Sequence, residues 1–118
     1  MRLAAGSMAM MVTMLLPLSA NAAAEAEHVA DAAGARVIIT ADESLRMYFS
    51  PETLTVPAGT TVTFANEDGS NHKIKFADGT ISERLRHGAS YTRTFSAPGT
   101  YAYGCAIHSK MKGTIVVE

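Results

Sequence analysis

The chain holds a single cysteine, Cys105, among its 118 residues. One thiol excludes an internal disulfide, the usual staple of small exported domains. Neither sign of charge dominates: ten Lys and Arg stand against eleven Asp and Glu, a formal net charge of −1. That balance offers no footprint for nucleic acid or for an anionic membrane surface. Beyond the first two dozen residues, no apolar run approaches the roughly 20 residues that a transmembrane helix requires. Paired carboxylates and nucleophile–base arrangements are absent too, and so small a domain leaves little room for a substrate pocket. The chain is therefore not expected to be an enzyme.

What the amino terminus does contain is a three-part export pattern. Arg2 precedes an apolar run from Met8 to Leu18, and Ala20-Asn21-Ala22 supplies a small-x-small cleavage site. Residues 1–22 are expected to be a signal peptide, which places the protein in a bacterial periplasm. Removing them leaves 118 − 22 = 96 residues, with nine Lys and Arg and eleven Asp and Glu, a net charge of 9 − 11 = −2. Of the methionines, only Met47 and Met111 remain. In an oxidising compartment a free thiol is a liability unless something occupies it. Cys105 can thus be an inert buried residue, half of an intermolecular disulfide, or a metal thiolate.

Residues 23–34, AAEAEHVADAAG, read as a flexible leader or a marginal helix. From Ala35 the texture changes to short β-rich runs separated by turn residues. The runs are VIIT (37–40), Met47 to Phe49, Thr53 to Val56, TTVTFAN (60–66), HKIKF (72–76), ISERLR (81–86), SYTRTF (90–95), TYAYGC (100–105) and GTIVV (113–117). These runs, without a useful helix, predict an all-β fold of seven to eight strands, a Greek-key antiparallel β-sandwich spanning residues 35–118.

Alternation assigns faces. A period of two puts His72, Ile74 and Phe76 on one side of their run and Lys73 and Lys75 on the other. The lysines belong in water, so His72 shares the buried face. In TYAYGC, Tyr101, Tyr103 and Cys105 lie together, so the thiol points toward the core at the strand's end. A turn after Cys105 brings His108 and Met111 around the same point. Thiolate, imidazole and thioether together favour copper over magnesium or calcium, and zinc seldom recruits methionine. His72 is the inward-facing histidine able to fill the remaining place. Two imidazoles and a thiolate in a plane, with a weak axial thioether, form the blue-copper arrangement.

The run PETLTVPAGTTVTFAN, the histidine opening a strand, SYTRTFSAPGTYAYGC and the final C-x-x-H-x-x-M-x-G resemble the cupredoxins. These are the small blue copper proteins of the plastocyanin/azurin group, and the short C-x₂-H-x₂-M loop is most similar to that of the amicyanins. The resemblance implies one type 1 copper per chain, with His72 and His108 as imidazole ligands, Cys105 as thiolate and Met111 as axial thioether. It implies a mobile, monomeric one-electron carrier whose redox partner proteins, donor and acceptor, dock near His108. Copper binding and delivery is the alternative function, and a metal-free interaction domain of the same shape is a third. Two departures stand out. Lys73 replaces the family's usual Asn after the first histidine, and Ala106 replaces the Ser or Thr after the cysteine, so a softer metal site is expected. Ile107 and Ser109 replace the prolines flanking the loop histidine, and Lys110 stands at an aromatic position, which makes the docking patch more polar and basic.

Other residues carry plainer expectations. His87 reads as an exposed turn residue, His28 as part of the leader, Met47 as filler, and Tyr101 and Tyr103 as packing. Arg84, Arg86 and Arg93 suit a solvated face.

Overall fold

The computed structural model describes residues 27–29 and 34–118. The expected signal peptide and most of the leader lie outside the described residues. The described strands are β1 (Glu27–Val29), β2 (Arg36–Ala41), β3 (Met47–Ser50), β4 (Thr53–Val56), β5 (Thr60–Asn66), β6 (Ile74–Phe76), β7 (Ser90–Phe95), β8 (Gly99–Cys105) and β9 (Lys112–Val117). They form two sheets, one in the order β1-β4-β9-β8-β6 and the other β3-β2-β5-β7. Eight strands lie beyond Ala35, where the domain was expected to begin. The ninth, β1, lies in the stretch expected to be leader and pairs in parallel with β4.

The sandwich is all-β, but its pairing is mixed rather than purely antiparallel. β2 runs parallel to β5, and β4 parallel to β9. The cause is the route of the chain: after the β2–β3 hairpin it crosses to the other sheet for β4, then returns with β5 beside β2. A second difference concerns ISERLR. Residues 81–86 form no strand of their own; their β-pairing is limited to isolated bridges, Ile81 to Lys75 and Leu85 to His72. The inward residues there are Ser82 and Leu85, spaced by three rather than two, so no continuous ladder can form.

Between the sheets lies a core built on β-strand alternation. Val62 and Phe64 on β5, Ile74 and Phe76 on β6, Tyr103 on β8 and Ile115 on β9 all point inward. Phe64 is its centre: its ring packs edge-to-face on Phe76 and Tyr103 at 5.9 and 5.3 Å between centroids. Tyr103 and Phe76 in turn are two residues from Cys105 and Ile74 on paired strands, Ile74 facing Cys105 and Phe76 facing Tyr103. The aromatic core thus fixes the heights of β6 and β8 relative to each other. That register decides where the chemistry-bearing ends of the two strands meet.

Candidate metal centre

The two strand ends meet at one end of the sandwich. His72, just before β6, is fully buried; Cys105, the last residue of β8, and Met111, just before β9, are buried as well, and His108 is half-buried. The Cys105 Sγ lies 3.6 Å from His72 Nδ1 and 3.8 Å from His108 Nδ1. The three donor atoms all lie within 4.8 Å of one another. The two imidazole rings sit 4.8 Å apart, inclined at 51°. Four residues separated by as much as 39 positions are therefore gathered at one end of the fold, as face and spacing anticipated.

Backbone geometry places each one. His72 exchanges paired hydrogen bonds with Leu85, His72 N–H donating to Leu85 O at 3.0 Å and Leu85 N–H to His72 O at 2.7 Å. The Cys105 sulfur accepts from the backbone N–H of Ile107 and of His108, each at 3.4 Å. Two N–H dipoles are thus aimed at one sulfur. The loop closes where Met111 N–H donates to His108 O at 3.1 Å.

Asp68 completes the site, and sequence reading had passed over it. Its Oδ2 lies 2.9 Å from His72 Nε2. A carboxylate can only accept, so the proton must sit on Nε2, which leaves the Nδ1 lone pair aimed at the cluster. Burial raises the Asp68 carboxyl, but the bond from His72 and the Ser70 N–H outweigh it, holding the group below its ordinary value of 3.8. Asp68 is itself held by Asn66: the buried Asn66 Oδ1 accepts from Asp68 N–H at 2.9 Å, while its Nδ2 donates to Ser70 O and Leu85 O. The signal available in EDGSNH was an Asp four residues before the histidine, inside a loop rich in residues that hydrogen-bond their own backbone. Replacing Asp68 by alanine should weaken copper binding by about ten- to hundredfold, the usual range for such outer carboxylates. Chelator competition measures it, and an unchanged affinity would remove Asp68 from the site.

A main-chain tie joins the first histidine's strand to the cysteine loop. Ala106 N–H donates to Lys73 O at 2.8 Å. The link runs through main chain, so the side chains at 73 and 106 are not needed to make it. Gly104 adds a constraint of its own. A Cβ there would lie 2.8 Å from the Met111 carbonyl oxygen, closer than real contacts allow. Gly104→Ala should push the Met111 turn outward, shifting the reduction potential and lowering stability by about 1–3 kcal/mol. Voltammetry and thermal unfolding test this together; a variant unchanged in both would mean that the Met111 turn has slack.

The remaining candidates fall outside the cluster. His87 is exposed, and its Nδ1 lies 3.2 Å from the Asp68 backbone oxygen rather than among the donors. Tyr103 is core; its hydroxyl has no hydrogen-bond partner, and burial, with the Glu52 charge, raises its pKa far above the usual value of 10.0. Such a phenol has nowhere to send a proton and serves as packing. Tyr101 donates to Ala97 O. Arg93 is engaged rather than free: it donates to Asp78 at 2.8 Å and lies 4.4 Å from the Phe76 ring centre. Arg84 and Arg86 are exposed. Met47 lines a cavity of about 280 Å³ together with Leu45, His108 and Met111, so it packs beside the site. The backbone of His28 lies in β1.

One cysteine sulfur, two imidazole nitrogens and a buried thioether at the end of a β-sandwich fit copper and leave hard cations poorly served. A family profile described as a cupredoxin-like domain matches residues 7–117, and the chain belongs to that family. It is 36% identical over 99 residues to amicyanin from Paracoccus denitrificans, covering 79% of this chain and 71% of that one. It is also 38% identical over 90 residues to plastocyanin from Scenedesmus fuscus, covering 64% of this chain and 92% of the other. Among solved structures, a purple cupredoxin from Nitrosopumilus maritimus superposes with a TM-score of 0.64 at 30% identity, over 72% of this chain and all of that one. The cofactor of this site is copper, one type 1 ion per chain.

Proposed function

We propose that this protein is an exported one-electron carrier of the amicyanin kind, working in the periplasm between larger redox proteins. The observation that carries the reading is the convergence of His72 Nδ1, Cys105 Sγ and His108 Nδ1, with Met111 buried beside them. In this reading His72, Cys105 and His108 are the equatorial ligands and Met111 the weak axial one. Copper supplies the one-electron couple when bound. The chain's part is to hold four donors in place before the charge changes. Asp68 fixes the His72 ring, the Ile107 and His108 amides hold the sulfur, and the Lys73–Ala106 bond locks the loop to β6.

His108 is the exit for the electron, because it alone of the four reaches toward solvent. Around it stand exposed apolar side chains, Leu45 at 79% and Ile107 at 42% of full exposure. Such residues favour brief contact with a partner's apolar surface. The protein acts as a monomer, since a carrier must part from one partner to reach the next.

The test is to load the purified domain with Cu(II), record the visible spectrum and follow with voltammetry. An intense thiolate band with a reversible one-electron wave supports the carrier. A colourless protein that holds only Cu(I) and passes it to an acceptor supports copper delivery instead. Failure to bind one equivalent of copper would defeat both.

A further inference from the structure

We propose that the outer face of the five-stranded sheet, beside Cys105, is a second docking surface, one that receives a carboxylate-rich segment of a partner protein. A trough of about 450 Å³ opens there, lined by Lys75, Ala77, Ala102, Gly104, Ala106 and Lys112. Its shape follows from register. Gly104 on β8 pairs with Lys75 on β6 at one side and with Lys112 on β9 at the other. Neighbouring strands lie about 4.8 Å apart, so the two lysine stems rise roughly 10 Å from each other across a glycine. Ala102, Gly104 and Ala106 give that floor almost no side chain. The result is a concave surface with cationic walls and exposed main chain at its base.

Charge makes the case for the occupant. By strand alternation Lys73 shares the outward face with Lys75. The salt bridges among the described residues engage Arg46, His72 and Arg93, and none neutralises Lys73, Lys75 or Lys112. Three cations thus stand together on a molecule whose formal net charge is −1. Long side chains with unpaired ammonium groups attract carboxylates and raise the rate of encounter. A concave trough also suits a protruding acidic loop better than a flat lipid surface. His108 does not line it, although Ser109 and Met111 border both the trough and the cavity beside His108. The inference concerns binding and does not depend on the carrier reading.

The experiment is a ¹⁵N-resolved titration of the copper(I)-loaded protein with a hexaglutamate peptide at low salt. The expected shifts fall on Lys75, Gly104, Ala106 and Lys112. A Lys75→Gln/Lys112→Gln double variant should bind the peptide roughly tenfold more weakly, as for the loss of two exposed ion pairs, and keep its visible spectrum. Shifts confined to the His108 loop or to Arg84 and Arg86 would overturn the proposal, as would equal binding by the double variant. Inorganic phosphate matching the peptide at equal charge would make the trough a small-anion site, and preferential binding of phosphatidylglycerol vesicles would make it a lipid site; either outcome contradicts a protein-docking role. An acidic c-type cytochrome, used in parallel, should oxidise or reduce the double variant more slowly than the parent. If the carrier reading fails, the cytochrome arm is silent while the peptide titration still decides the trough.

Discussion

Replacing Cys105 by alanine should abolish the intense visible absorption of the copper-loaded protein while leaving the fold in place. The band needs a sulfur anion bound to the metal, and no other cysteine exists to supply one. His72 and His108 would remain close to each other, so a weakly coloured Cu(II) complex through nitrogen is the expected residue of activity. The thiol is a small buried group, and its loss trims a little packing without removing any strand pairing. Far-ultraviolet circular dichroism should therefore match the parent, and the reversible redox wave should vanish. An undiminished band in the variant would show that the chromophore lies elsewhere.

The largest effect on stability is expected from Phe64→Ala. Phe64 is fully buried and meets three rings, Phe76, Tyr91 and Tyr103, at 5.9, 6.0 and 5.3 Å. Its removal leaves a cavity that rigid rings on both sheets cannot fill. The cost should be about 3–5 kcal/mol, a large share of the roughly 5–15 kcal/mol that holds a domain folded. For a domain of this size that lowers the melting temperature by at least about 12 °C. Copper should also dissociate faster, because Phe76 and Tyr103 set the register that brings His72 to Cys105. Thr61→Ser, at an exposed position on the same strand and keeping the hydroxyl that bonds Thr94 at 2.7 Å, should change stability by less than about 0.5 kcal/mol and serves as the control. A Phe64→Ala loss no larger than that of the control would mean that the core is not organised around this ring.

These two expectations mark how far the sequence could be read. Strict alternation in HKIKF was enough to turn His72 inward, because a half-buried strand leaves no other face for lysine. The position of Cys105 followed in the same way from its two tyrosines. The mixed pairing of the sheets was not legible, since it depends on which layer each connection crosses, and no local residue pattern records that. ISERLR misled because its charged residues mimic a solvent face, while Ser82 and Leu85 turn inward out of phase. The site itself was half visible. Its donors announced themselves by chemistry and spacing, whereas its supports did not. Asp68 acts through a loop whose shape depends on the buried Asn66, and the Lys73–Ala106 tie is made by backbone, to which side-chain identity is blind.

The account rests on one assertion, that four donors are held by the fold and keep their places when the oxidation state changes. Copper-edge X-ray absorption of the oxidised and reduced protein at neutral pH measures this directly. The expected result is one short copper–sulfur distance and two imidazole nitrogens in both states, with only slight lengthening on reduction. A shell of nitrogen and oxygen alone, or one that exchanges a ligand between the two states, would contradict it.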